Sequence, residues 1–212
     1  ASKKDLERVE EDIEFDYILK EIDQLLRGME EGAKRTVEIV KGLRLFSRVD
    51  EQDVKRVDIH DGINSTLILL NSSMSGKIQV YKEFGSIPII ECLPGKLNQV
   101  FMNIITNAIH ALLENLDKIP EPKITIRTIH VGEKIRIEIE DNGFGMPAHV
   151  KQRIFEPFFT TKAVGKGTGL GLSIVYTIIE NHKGTLEVST EQGKGTNFII
   201  TLPIYQNIQQ YD

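Results

Sequence analysis

A single cysteine, Cys92, stands among 212 residues. That excludes an internal disulfide and a cysteine-rich zinc site, and leaves a buried strand thiol as its reading. No apolar run approaches the ~20 residues of a bilayer span. The first residues, Ala-Ser-Lys-Lys-Asp-Leu-Glu, lack a signal peptide's apolar centre. The chain is therefore expected to be cytoplasmic and without membrane contact, although it can still be cut from a membrane-anchored parent. Cationic residues are also in deficit: 26 Lys and Arg against 31 Asp and Glu give a net charge of −5. That argues against a nucleic-acid partner, whose binders are normally basic, while leaving a local basic patch open. Residues 1–57 hold no proline and no histidine. No internal repeat and no low-complexity tract is present.

What remains is ordinary globular material, 40% hydrophobic and 27% charged, long enough for one or two domains with a real core. Apolar residues recur at Phe15, Ile18, Ile22, Leu25 and Met29, then at Ile39, Leu43 and Phe46, with Gly32 and Thr36 interrupting. Leu19, Leu26, Ala33, Val37 and Val40 widen the stripe. The spacing predicts a long amphipathic helix over residues 1–56, too broad-faced for a two-stranded seam and in need of a second helix. Val49–Lys55 reads as a polar hinge.

From Val57 onward helices and strands mix. Asp58 or Asp61 can cap a helix carrying Ile63, Leu67, Ile68 and Leu70. Short strands are predicted around Ile78–Tyr81 and Pro88–Glu91, then a helix from Gly95 with Leu97, Val100, Phe101, Ile104, Ile105, Ala108 and Leu112 on its buried side. The strands Lys123–Arg127 and Lys134–Glu140 follow, the second alternating through Ile135, Ile137 and Ile139. Pro147 suits the first turn of a short helix reaching Ile154. A helix beginning near Gly169 and a last strand pair, Thr185–Ser189 with Thr196–Leu202, complete an α+β fold, a two-layer α/β sandwich behind the long helix.

Four stretches carry chemistry. Asn103 and Asn107 project from one helix face, and amides there either bond to a neighbouring loop or help hold Mg²⁺ among phosphates and water. His110, three residues on, touches a phosphate or sits half-exposed. Asp141 ends a strand and opens Asp-Asn-Gly-Phe-Gly145. This is either a plain hairpin turn or a carboxylate poised for an amine such as adenine N6, with Gly143 and Gly145 allowing close approach to a flat ring. Ile154-Phe-Glu-Pro-Phe-Phe-Thr-Thr-Lys162 suggests an apolar lid hinge, with Lys162 facing a phosphate or solvent and Phe155 in the core. Gly165-Lys-Gly-Thr-Gly-Leu-Gly171 leads into a helix, where free N–H groups bind phosphate, unless it is only a flexible loop. It is no P-loop, because Gly-x₄-Gly-Lys-Ser/Thr is absent.

In order and spacing, these four motifs resemble the ATP-binding domain of sensor histidine kinases over residues 57–204, a GHKL-type ATPase fold. The resemblance implies ATP and Mg²⁺, with Asn103 and Asn107 at the metal and triphosphate and His110 beside them. Asp141 would read adenine, and Gly143, Gly145 and Met146 would shape its pocket. Thr161 and Lys162 would belong to the lid. Gly167, Thr168, Gly169, Leu170, Gly171 and Leu172 would line the phosphates. Gly32–Arg48 looks like the second helix of that family's dimerisation and phosphotransfer hairpin, so a homodimer and a response-regulator receiver domain are the implied partners. Residues 205–212 would be a C-terminal tail.

Hydrolysing relatives with this fold place a glutamate four residues before the Mg²⁺ asparagine. Here that position is Asn103, and an amide cannot take a proton from water. The resemblance thus favours γ-phosphoryl transfer to a protein over an ATP-driven switch or a binding-only module. The family's phosphoacceptor histidine is expected on the first hairpin helix, yet His60, His110, His130, His149 and His182 all lie beyond the arm. His60 reads as a helix-cap residue and His182 as a C-terminal helix contact. The acceptor is expected outside this chain, on a removed upstream helix or on another protein.

Overall fold

The computed structural model describes residues 17–30, 33, 53–162 and 169–206, and the chain divides into two compact units, Ala1–Lys41 and Gly42–Asp212. In the first unit, helix α1 runs over residues 17–30. Its apolar stripe is open: Ile18, Ile22, Leu25 and Met29 are between 46% and 70% exposed. The stripe positions Phe15, Thr36, Val37, Ile39, Val40, Leu43 and Phe46, Gly32 and most of the Gly32–Arg48 segment lie outside the described residues, as do most of the expected hinge and residues 207–212 of the tail.

The second unit runs β1 (Lys55–Val57), α2 (Ile59–Met74), β2 (Gln79–Phe84), β3 (Ile90–Cys92), α3 (Pro94–Leu113), β4 (Lys123–Val131), β5 (Lys134–Asp141), α4 (Ala148–Lys151), α5 (Gly171–Asn181), β6 (Thr185–Glu191) and β7 (Gly195–Pro203). Five strands form one sheet in the order β2-β4-β5-β7-β6, with only the β2–β4 pair parallel. β1 and β3 form a separate antiparallel pair, Lys55 opposite Cys92.

Period-two alternation sends Ile124 and Ile126, Ile135, Ile137 and Ile139, and Phe198, Ile200 and Leu202 to one face of the sheet. These pack with Ile63, Leu67 and Leu70 of α2, Leu97, Phe101, Ile104 and Ile105 of α3, and Val175, Ile178 and Ile179 of α5 in one buried cluster. The opposite face is polar, and Arg127 there pairs with Glu83 and Glu140 on the two flanking strands. A helical layer on one side of a mixed sheet is the α+β sandwich expected.

Asp58 is the cap of α2; its Oδ1 accepts the His60 N–H at 2.9 Å. Asp58→Ala is expected to cost about 1 kcal/mol, read as a lower urea midpoint at unchanged slope. His60 is not the capping side chain. Its ring stacks on Phe84 at 4.3 Å, and its Nε2 meets Thr128 Oγ1 at 2.9 Å. Cys92 is fully buried, and burial pushes its thiol up to about 12, so it packs as a small apolar group.

Candidate functional site

The C-terminal half of α3 forms one wall of a cleft of about 880 Å³. Asn103, Asn107 and His110 lie along that wall. Asp141 and Gly145 come from the end of β5 and the loop after it, Thr196 and Phe198 from β7. Phe159, Thr161 and Lys162 approach from the segment after α4, and Gly169, Gly171 and Leu172 from the start of α5.

Asp141 is 4% exposed. The backbone N–H groups of Gly143 and Thr196 donate to its carboxylate, the first at 2.8 Å. Burial nonetheless dominates and raises its pKa from 3.8 to about 6, with Glu140 adding repulsion and the two N–H donors opposing. Thr196 faces Asp141 because β5 and β7 pair antiparallel in that register.

The loop after Asp141 is strapped to the β6–β7 hairpin. Gly193 donates to the Phe144 carbonyl at 2.7 Å, and Met146 N–H to Thr190 Oγ1 at 2.9 Å. Gly145 takes φ +64, with the Glu191 and Gly195 carbonyls where a Cβ would stand. Gly143 lies beneath the cleft, against Ala111 and Asp141. Phe144 stays 40% exposed with the Lys118 ammonium 5.3 Å from its ring centre.

Asn103 and Asn107 are half-buried. Asn103 Nδ2 donates to the Gly171 carbonyl at 3.3 Å, joining α3 to the first residue of α5. Asn103 thus does what the bland reading of an amide asks, while its Oδ1 lies against Gly171. Asn107 makes no side-chain hydrogen bond among the described residues and lines the cleft. Among those residues no three His, Cys, Asp or Glu side chains gather as a metal cluster. A divalent ion here would fit an oxygen set of phosphates, water and an Asn amide.

Lys162 Nζ donates to His110 Nδ1 at 2.7 Å, so His110 is neutral with Nδ1 as acceptor. Burial and the Lys162 charge lower the His110 pKa, against the raising effect of Glu114; burial also lowers that of Lys162. Phe155 is partly buried against the core, Phe159 carries the Arg153 guanidinium over its ring at 4.4 Å, and Phe158 is 73% exposed at φ +66. The three phenylalanines therefore divide between core, cleft and surface.

Helix α5 starts at Gly171, two residues later than the spacing suggests; Leu170 is its cap position and Gly169 precedes it at φ +66. Gly165, Gly167 and Thr168 lie outside the described residues. Thr196, Phe198, Glu114 and Phe144 line the cleft without having been singled out in the sequence. The alternation of β7 marks Phe198 as inward, but only strand register brings it and Thr196 to Asp141.

Residues 92–206 match the family described as histidine kinase-, DNA gyrase B-, and HSP90-like ATPase. The chain is 35% identical to the sensor kinase CckA of Brucella abortus, over 84% of this chain and 20% of that protein. It is 34% identical to sporulation kinase E of Bacillus subtilis, over 91% of this chain and 27% of that protein. The chain thus spans about a fifth to a quarter of these curated relatives. The catalytic domain of the histidine kinase ThkA superposes with a TM-score of 0.63 at 29% identity, covering 73% of this chain and 97% of that one. No described helix is long and apolar enough to cross a membrane.

Proposed function

The chain belongs to the histidine kinase-, DNA gyrase B- and HSP90-like ATPase family, and from that premise we propose that it is the catalytic region of a sensor histidine kinase. Residues 57–204 bind Mg·ATP and direct its γ-phosphoryl to a histidine imidazole outside this chain. The phosphoryl then passes to an aspartate of a response-regulator receiver domain. The residues before β1 are a partial dimerisation arm and residues 207–212 a tail; Lys55 and Arg56, paired with β3, and Gln206, bonded to His182, extend the ATP-binding unit past the 57 and 204 read from the sequence.

One observation carries the reading: a single cleft gathers a buried carboxylate, two amides, a lysine and the start of α5, with an amide rather than a carboxylate at position 103. Asp141 accepts from the adenine amine, and Gly143 and Gly145 let the loop pack closely on α3 and the β6–β7 hairpin, which holds Asp141 in place. Asn107 faces the triphosphate with its amide uncommitted, and Lys162 and His110 supply an ammonium and a ring N–H at the cleft's edge. Mg²⁺, when bound with the nucleotide through Asn103 and Asn107, would neutralise charge as the phosphoryl departs. The residues present mainly position reactants, and the place of the water-activating base is held by the Asn103 amide. The open stripe of α1 fits a homodimer through paired arms.

Gamma-labelled ATP tests this on the chain alone and on a form extended upstream by about one hairpin arm, ~40–60 residues. Acid-labile label on the extended form only is the expected result. Free phosphate released by both forms would make the protein an ATPase instead. Asn107→Asp sets a carboxylate against phosphate, a juxtaposition costing several kcal/mol. It should weaken Mg·ATP binding at least ~100-fold, measured calorimetrically. Unchanged binding would remove Asn107 from the site.

A further inference from the structure

His182 is 1% exposed and lies some distance from the cleft, at the far end of α5 from Gly171. Both ring nitrogens are engaged. Nδ1–H donates to the Ile178 carbonyl at 2.7 Å, and Nε2 accepts the Leu93 N–H at 3.0 Å. One neutral tautomer satisfies both contacts, and burial lowers the pKa in keeping with it. The C-terminal helix contact expected of this histidine is thus present, made by a neutral ring to the Ile178 carbonyl. Leu93 is the cap position of α3. Gln206 closes the arrangement: its Nε2 donates to the His182 carbonyl at 2.8 Å, and its N–H to Glu91 Oε2 at 3.1 Å.

At the start of α5, Asn103 Nδ2 from the middle of α3 holds the Gly171 carbonyl. Helices α3 and α5 therefore run antiparallel, with α5 pinned at both ends to the N-terminal half of α3. Leu93 precedes Asn103 by about ten residues and Gly171 precedes His182 by about eleven, so the pinned lengths are about 15 and 16 Å. The two pins are in register. Between the pins the buried side chains are apolar, Leu97 and Val100 on α3 and Val175, Ile178 and Ile179 on α5, all in one core cluster. Close packing resists sliding along the helix axes, and the pins add direction-specific contacts that fix one offset.

We infer that His182 is a positioning residue for the nucleotide site: by fixing the axial offset of α5 against α3, it sets where Gly171 and Leu172 stand relative to Asn103 and Asn107. This rests on the proposal that the cleft holds Mg·ATP. Losing the acceptor leaves the Leu93 N–H unpaired and frees α5 to shift, which displaces the phosphate end of the cleft while the adenine end on β5 stays in place.

The test compares Mg·ATP affinity, by calorimetry well below the melting temperature, in the whole chain and four variants. His182→Leu removes the acceptor. Leu93→Pro removes the donor from the other side, at an extended residue whose φ of −92 must close by roughly 27° to reach proline's. His182→Gln restores an acceptor oxygen near the Nε2 position. Ile135→Ala opens a cavity at the end of β5 remote from Asp141 and serves as a destabilised control.

His182→Leu and Leu93→Pro should each weaken Mg·ATP about 5- to 10-fold, the scale of coupling through one buried bond. Adenosine binding should change little. His182→Gln and Ile135→Ala should bind as the unaltered chain does. If His182→Leu does not fold, Leu93→Pro decides alone. Unchanged affinity in the pin variants, or an equal loss in Ile135→Ala, overturns the inference. An unaltered chain that fails to bind Mg·ATP overturns the functional reading first, and the inference with it.

Discussion

Gly145→Ala is expected to destabilise the protein by about 3–5 kcal/mol and to leave no measurable nucleotide affinity. Two effects add. The backbone stands at φ +64, where a Cβ costs about 1 kcal/mol. The larger effect is steric: the new Cβ would collide with the Glu191 carbonyl oxygen and lie 2.9 Å from that of Gly195. Both are backbone atoms of the β6–β7 hairpin and cannot rotate away. Relief requires the loop to lift off the hairpin, breaking the Gly193–Phe144 and Met146–Thr190 bonds and moving Asp141. Gly132→Ala separates the effects, because Gly132 has φ +60 with nothing within 4 Å of its Cβ position. It should lose only about 1 kcal/mol. Thermal unfolding reads the contrast, at roughly 2–4 °C per kcal/mol in a chain of this size. Similar losses in both variants would mean that the contact with the hairpin is unimportant.

Asp141→Asn should weaken adenine nucleotides by about 2–3 kcal/mol, roughly 30- to 150-fold, because an amide NH₂ would then face the adenine amine in place of an acceptor. The same substitution has a pH signature without ligand. The folded pKa of about 6 exceeds the ordinary 3.8, so the native state binds the extra proton between those values. The carboxylate's contribution is thus a cost, absent below pH 3.8 and complete above pH 6. An Asn at this position is neutral at every pH. Relative to the unaltered protein, Asp141→Asn should gain about 2.4 kcal/mol on going from pH 4 to pH 8. His182 shifts the other way, its lowered pKa removing native stability as pH falls below 6.5, but it is common to both proteins and cancels. Urea unfolding at the two pH values decides the matter. A difference between the two proteins that does not change with pH would mean that Asp141 is not held in a desolvated place.

The strands of the sheet were readable where alternation is strict. Ile135, Ile137 and Ile139 marked β5 and its buried face, and the continuation of that face to Asp141 follows from parity alone. Helix α3 was equally plain from its apolar spacing. β1 was not, because three residues carry no period and it exists only through pairing with β3. The site was legible as motifs but not as a shape. The spacing of Asn103 and Asn107 placed both on one wall, yet Thr196 beside Asp141 depends on a long-range strand register. The helix-end contact of His182 is legible from its position, but its burial is not, because nothing local tells a histidine that its surroundings will be dry. Lys162 meeting His110 likewise joins residues from separate elements, which no local pattern encodes.

The sheet also carries a statement about assembly in time. β4 with β5 and β6 with β7 are hairpins closed by short turns, so each pairs at little loop-closure cost. Their junction, β5 against β7, joins Lys134 to Pro203 across the lid and α5, and such non-local pairing is the slow kind. Asp141 and Thr196 form the last rung of that junction, so the floor of the cleft comes into being only when the two hairpins dock. A ligand seated there grips both halves across the latest-made contact and opposes their parting.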